Sequence, residues 1–376
     1  MNARPSSDEL TELLDLYREL ARLEGDPEAG HRRWNDVVAR VQELLPAVLA
    51  DPPSLDRLRE IGRTHEDESV RRHASMDADP PPPRSASGLA EWLAHPGVGL
   101  QELVASVRPA VRLAGLSLDD AAAEDEAFLD ELFDVAADYP RHHDSSWLGG
   151  PPLGPLPTWP TRDDGVALVH VAQFDLRPWA WLAAEMPGVP VSDFPGSGVI
   201  QVFHDLETPG DRPGDGRRGA WLVRWVEVPE AAVDAPAGAE GPTPARALIE
   251  QEAAATLPSP EDIEDERIAE RCDLARRRLL ATNCEAGGVD LPPVDLWTLR
   301  PESHLFGHGW HSAREGREIL TAAAPGGDGA EWLLLADIAG VGPLDQWFGD
   351  EGHLEVWVRA ADVRARAFER AWVLMR

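Results

Sequence analysis

The 376-residue sequence predicts an α+β protein: a duplicated, β-rich domain with flanking helices, preceded by a small all-α module of bundle or HEAT-like type. Three observations carry that expectation. A strand-like pattern occurs twice, over 165–205 and again over 331–359. The first 76 residues instead show apolar residues at helical spacing. Between and around the strand patterns, helices recur without the regular strand–helix rhythm of a doubly wound sheet, which favours α+β over α/β.

The twin patterns align residue by residue. Val169/Leu333, Val171/Leu335, Ala172/Ala336, Gln173/Asp337 and Phe174/Ile338 correspond in the first strand. Gly198/Gly352, Ile200/Leu354, Val202/Val356 and Phe203/Trp357 correspond in the second. An apolar strand, a connection, a glycine and an alternating strand therefore occur twice, as expected of a duplicated unit. The repeat units are placed at about 146–228 and 300–376.

Taken in order, the chain opens with helices. Ser6 and Glu9 have capping-box spacing ahead of Leu10, Leu13, Leu14, Tyr17 and Leu20. Trp34, Val37, Val38, Val41, Leu44, Leu45 and Val48 mark a second helix, which Asp51-Pro-Pro ends. Leu55, Leu58 and Ile61 mark a third, and the run at 68–75 a fourth. This helical module (1–76) is expected to bind other proteins, and it is distantly similar to a small helical family of unknown function. A Pro-rich linker at 77–88 precedes the main domain at 89–376. Residues 89–95 and 100–113 read as helices or as a helix feeding a strand. The stretch 116–138 reads as a helix with nine acidic residues and no basic one, a solvated face. Residues 220–228 alternate as a strand, whereas 243–282, rich in Ala, Glu and Arg, read as helical.

Composition restricts function. The 67 acidic residues against 35 basic ones give a net charge of −32, a field that repels phosphate backbones and anionic membranes. Neither nucleic acid nor membrane is an expected partner; a basic protein is, and no cofactor is expected. Every basic residue is Arg, so Schiff-base chemistry, a Walker-type phosphate loop and a Ser–Lys dyad are excluded. Cys272 and Cys284 are too few for a thiolate metal site and read as free thiols. Sparse cysteine, no basic-then-apolar leader pattern and no long apolar run together lead to an expected cytoplasmic location.

Signatures of chemistry are weak. His142-His143-Asp144 and the trio His304, His308 and His311 lack zinc-motif spacing, so no metal site is expected. Gly196-Ser197-Gly198 is too short for a nucleophile elbow. No catalytic residue is assigned. Polar residues at strand ends remain: Gln173, Asp175, Asp337 and Asp350, joined by His304 as lining for a ligand cleft between the two repeats. Carboxylates there could do acid–base work, but cap turns and satisfy buried backbone more often. Trp159, Trp310, Trp332 and Trp357 are expected in the core before a stacking platform.

Several of these runs resemble those of the YwqG-like family, a domain of unknown function. The run SWLGGPPLGPLPTWP (146–160) is similar to its Gly-Gly-x-Pro turn preceding Trp-Pro. Val171-Ala172-Gln173, the Gly198–Phe203 strand, HLFGHGW (304–310), the Trp332 run and the Gly349-Asp350-x-Gly352 turn continue the likeness over about residues 100–376. The family's second strand ends in Gln where this chain has Asp337, and His311-SAREG replaces a further Gln. The resemblance implies a duplicated α+β fold of unestablished function. It fits a non-catalytic interaction module that neutralises a basic partner such as a nuclease toxin; the alternative is a small-ligand binder or hydrolase using the cleft.

Overall fold

The computed structural model describes residues 7–24, 31–67, 70–71, 73–74, 78, 82–95, 98–116, 146–185, 188–234, 246–285, 302–324, 331–340, 344–349 and 352–376. The chain forms two compact units, Met1–Pro83 with Ser87–Ala105, and Arg84–Ala86 with Ser106–Arg376. The helical readings at 68–75 and 116–138 lie partly or wholly outside the described residues, as does His142-His143-Asp144.

The first unit is helical: α1 (Ser7–Glu24), α2 (His31–Ala50), α3 (Pro52–Thr64) and nearly all of α4 (Ala86–Ala94). Leu13, Tyr17 and Leu20 of α1 meet Val37, Val41 and Val48 of α2 and Leu55, Leu58 and Ile61 of α3 in one buried cluster. The i, i+3/i+4 spacing puts each set on one helix face. Asp51 both separates α2 from α3 and caps α3, its carboxylate accepting from the Ser54 N–H at 3.1 Å and hydroxyl at 2.6 Å. Pro52 then sits in the first turn, where its missing N–H costs nothing.

The second unit is built on one ten-stranded sheet. Its strands are β1 (Arg108–Leu116), β2 (Trp147–Leu148), β3 (Val169–Asp175), β4 (Val199–His204), β5 (Trp221–Val226), β6 (Ala247–Thr256), β7 (His304–Leu305), β8 (Trp332–Ala339), β9 (His353–Arg359) and β10 (Trp372–Met375). The order is β10-β9-β8-β7-β1-β6-β2-β3-β4-β5, all neighbours antiparallel. Read from either edge, the sheet has the same plan. β1 sits beside β7 and β6 beside β2, so each half of the chain lends its first strand to the other half.

Registers agree as well as order. Gln173 faces Gln201 on β3–β4, and Asp337 faces Glu355 on β8–β9. Each ladder slips by one residue at the same place, between His170 and Ala172 and between Leu334 and Ala336. The Ser146 hydroxyl accepts from the Asp175 N–H at 2.8 Å, and the Ser303 hydroxyl accepts from the Ala339 N–H at 3.0 Å.

One expectation is overturned. Residues 247–256 are not helical but form β6, paired with β1 over nine register positions from Arg108↔Thr256 to Leu116↔Leu248. Ala, Glu and Gln favour helix in isolation, yet a continuous ladder with β1 decides the conformation. The helical reading holds further on, in α6 (Glu266–Glu285).

The inner face of the sheet carries a single core from both halves. Val171, Phe174 and Val202 share it with Leu335, Ile338 and Val356, and Trp179 and Leu182 of α5 (Trp179–Glu185) join them. On the opposite face of β8–β10, Leu320 and Ala323 of α7 (Ala313–Ala323) pack against Trp332, Trp357 and Leu374. Those strands are thus covered on both sides, which is why they read as nearly continuous apolar runs. A short α8 (Ala360–Arg364) follows β9.

The edge strand β10 is capped by the segment after β4. Met375 N–H donates to the Pro209 carbonyl at 2.9 Å, and Trp372 Nε1 donates to the Gly210 carbonyl at 2.7 Å. From β5, Trp221 Nε1 donates to the Ala371 carbonyl at 3.1 Å, and its ring meets Trp372 edge to face at 4.9 Å. The two ends of the sheet are thus in side-chain contact, and the β10 edge is partly covered.

Gly210 makes that covering possible: its φ is +80°, and a Cβ there would overlap the Val373 carbonyl oxygen. Gly210→Ala is expected to cost about 2–4 kcal/mol in urea unfolding, from strain and overlap together. Gly214, where a Cβ meets nothing within 4 Å, is the control. Gly214→Ala should stay within about 0.5 kcal/mol of the parent.

Candidate functional site

The predicted residues fall in two places four strands apart. Gln173 and Asp175 lie on β3; His304 and Asp337 are register partners on β7–β8. Asp350 lies outside the described residues.

On β3 the polar groups serve the fold. Gln173 is fully buried, and its Oε1 accepts from Leu153 N–H at 3.0 Å and from Gln201 Nε2 at 2.6 Å. Gln201 Nε2 also donates to the Leu153 carbonyl at 2.8 Å, so one amide pair holds both polar groups of the loop residue. Asp175 is paired with Arg177, whose Nε lies 2.9 Å from Oδ2. Gln251 of β6 reaches over to the Ser146 hydroxyl and the Asp175 carbonyl, and accepts from Trp179 Nε1 at 2.8 Å.

The equivalent place on β8–β9 carries charge. Trp310 N–H donates to Asp337 Oδ2 at 2.6 Å, as Leu153 N–H does to Gln173. Opposite Asp337 stands Glu355, which sequence reasoning missed although it aligns with Gln201 one residue beyond Ile200/Leu354. An ionised Glu355 cannot donate to the neighbouring carbonyl as Gln201 does. That role passes to Arg276 on α6, whose Nη2 donates to the Trp310 carbonyl at 2.9 Å. Two glycines admit this packing: Cβ atoms at 309 and 316 would lie 3.1 and 3.6 Å from the Glu355 carboxylate.

The electrostatics follow from burial. Burial opposes ionisation of Asp337, but its 2.5 Å bond from His353 Nδ1, the pull of His304 and the Trp310 N–H hold it well below the usual carboxylate range. Glu355 goes the other way. Burial, then the charge of Asp337, push it up to about 7, against Arg376 at 3.7 Å and the Trp357 Nε1–H at 3.0 Å. Burial pushes His311 down to about 4, with His353 and Arg376 adding to the effect. The Nε2 atoms of His311 and His353 are buried without a hydrogen-bond partner. Among the described residues no group of three His, Cys, Asp or Glu side chains could hold a metal. No described helix is long and apolar enough to cross a membrane.

Beside this cluster, a cavity of about 70 Å³ is lined by β1, β6, β7 and α6. His304 and His308 line it, each with a backbone bond: His304 Nε2 donates to the His308 carbonyl at 2.8 Å, and His308 Nε2 to the Ser106 carbonyl at 2.7 Å. Trp310 also lines it, its ring under the Arg276 guanidinium at 4.2 Å. Trp332 and Trp357 are buried in the core as expected. Cys272 is a buried thiol, and desolvation pushes it up to about 11.

A family described as "Domain of unknown function (DUF1963)" matches residues 146–376. No curated protein matches the chain. The matched stretch starts at Ser146 and so contains every strand but β1.

Glu355 gives a pH test. Its raised pKa contributes stability that is full below about 4.5 and is lost as pH rises through about 7. The buried histidines act oppositely: His170, His204, His308 and His311, pushed down to about 4, contribute above 6.5 and lose that as pH falls. Glu355→Gln removes only the first effect. The stability of the variant minus that of the parent should therefore rise between about pH 4.5 and 8, by at most about 3 kcal/mol. Thermal unfolding across that range measures it, and a flat difference would show that Glu355 ionises normally.

Proposed function

The chain belongs to the DUF1963 family, and from that premise we propose that it is a cytoplasmic, non-catalytic protein-interaction module that binds and neutralises a basic partner. We further infer that its two sheet halves are copies of one unit, given the shared order, register and bulge position.

The observation that carries the binding reading is at the start of α6. Glu261, Glu264, Asp265, Glu266 and Glu270 are exposed within ten residues. Among the described residues none of the five has an ion-pair partner. Other carboxylates are matched, as in Arg112 with Glu252 and Glu302, or Arg162 with Asp164, Asp205 and Glu207, while further exposed ones such as Glu227 and Glu230 are more widely spaced. The local excess adds to a net charge of −32 and would steer a basic surface toward this face. The candidate residues Gln173, Asp175 and Asp337 are by contrast engaged inside the fold.

A second reading, a small-ligand binder, is favoured by the cavity that His304, His308 and Trp310 line. It does not use the acidic face.

A combined Glu261→Gln, Glu264→Gln, Glu266→Gln, Glu270→Gln variant separates the two readings. The tagged parent should capture a basic protein from native lysate at low salt and release it as salt rises. The variant should retain roughly tenfold less of that protein, at a few tenths of a kcal/mol per charge. A parent bait with no basic partner, or capture undiminished in the variant, would overturn the interaction reading.

A further inference from the structure

Arg276 is the one feature of the cavity that the fold does not fully use. It is 9% exposed and lines the cavity, yet among the described residues no carboxylate forms an ion pair with it. Only Nη2 donates hydrogen bonds, to the carbonyls of Trp310 at 2.9 Å and Gly309 at 3.4 Å. Nε and Nη1 donate none, and neither is sealed from solvent. A guanidinium buried to this degree with N–H groups uncommitted is costly unless something answers its charge.

The other charges around the cavity are already balanced. Arg112 is held by Glu302 on two atoms, at 2.8 and 2.7 Å, and by Glu252 at 3.0 Å. His308 is kept neutral by burial and spends Nε2 on the Ser106 carbonyl. The nearest carboxylate on the Trp310 side, Asp337, is taken by His353 and the Trp310 N–H. What the cavity offers is one guanidinium, stacked on Trp310 but without an ion-pair partner among the described residues, against a wall of Leu257, Leu279, Leu280 and Ala254. A space of about 70 Å³ holds about two waters, the room taken by a ligand of about three or four non-hydrogen atoms.

We propose that this cavity is a binding site for a short-chain monocarboxylate, its carboxylate on the free N–H groups of Arg276 and its alkyl end against the leucines. A dianion would leave one charge unanswered, and a neutral amide would leave the guanidinium without a counter-charge. This rests on the small-ligand reading and names its ligand class.

Isothermal titration of the full chain with sodium acetate, acetamide and inorganic phosphate at fixed ionic strength tests it. Acetate should bind with a Kd of roughly 1–10 mM, as expected for so small a ligand. Acetamide and phosphate should bind at least tenfold more weakly. Arg276→Gln should weaken acetate at least tenfold, with folding checked by near-ultraviolet circular dichroism. Ala254→Leu, which fills the cavity without touching Arg276, should do the same and stands in if the first variant does not fold. The quadruple glutamine variant of the acidic face should bind acetate as the parent does. No acetate heat at about 100 mM, or equal binding by the folded variants, overturns the proposal. Stronger binding of phosphate or acetamide overturns the monocarboxylate class while keeping the small-ligand reading.

Discussion

The β1–β6 ladder is the constraint on which the second unit depends. Nine antiparallel register pairs join residues 108–116 to 248–256, and both strands have their other neighbour in the opposite half. Neighbouring β2 and β7 contribute two residues each. Strands that short cannot join two halves by themselves; a long central pair must hold them in register. Once it does, both bulged hairpins face one interior and the core becomes common to both halves. The family match begins after β1, yet removing β1 would expose the edges of β6 and β7 together.

That shared frame shows what a change of polar pair requires. Gln173 and Gln201 satisfy each other and both backbone groups of Leu153 without any charge. Asp337 and Glu355 hold the same register but bring only acceptors when ionised. The structure answers with donors from three further segments: Trp310 and His353 on Asp337, Trp357 and Arg376 on Glu355, and Arg276 on the carbonyl left open. Glu355 keeps part of the amide's character by holding its proton toward neutrality. A buried acid pair is thus tolerated because the cost is spread over a network.

The sequence showed the strand pairs because alternation and the two glycines survive in both halves; Gly198/Gly352 and Val202/Val356 fix the register from spacing alone. β6 was hidden because its Ala, Glu and Gln carry helical propensity, and its conformation comes from a partner nearly 140 residues away in sequence. Asp337 was legible as a strand-end polar residue. Glu355 was within reach through the same alignment, but nothing in its neighbours signals that it would be enclosed. Arg276 was illegible. It sits among other arginines on an amphipathic helix, and only the approach of Trp310 from a separate loop buries it.

The interior also shapes the exterior. Arg276, Arg376 and Arg112 are drawn to buried or half-buried acceptors, with Arg112 set between two glutamates. Guanidinium suits such places because its planar, weakly hydrated fork can serve several acceptors at once, which an ammonium does poorly. Carboxylates are withdrawn from the surface as well: Asp175, Asp215, Asp337, Glu355 and Asp362 are buried alongside Arg276. The exposed glutamates at the start of α6 stand outside that balance, and it is they that face the solvent with their charge unanswered.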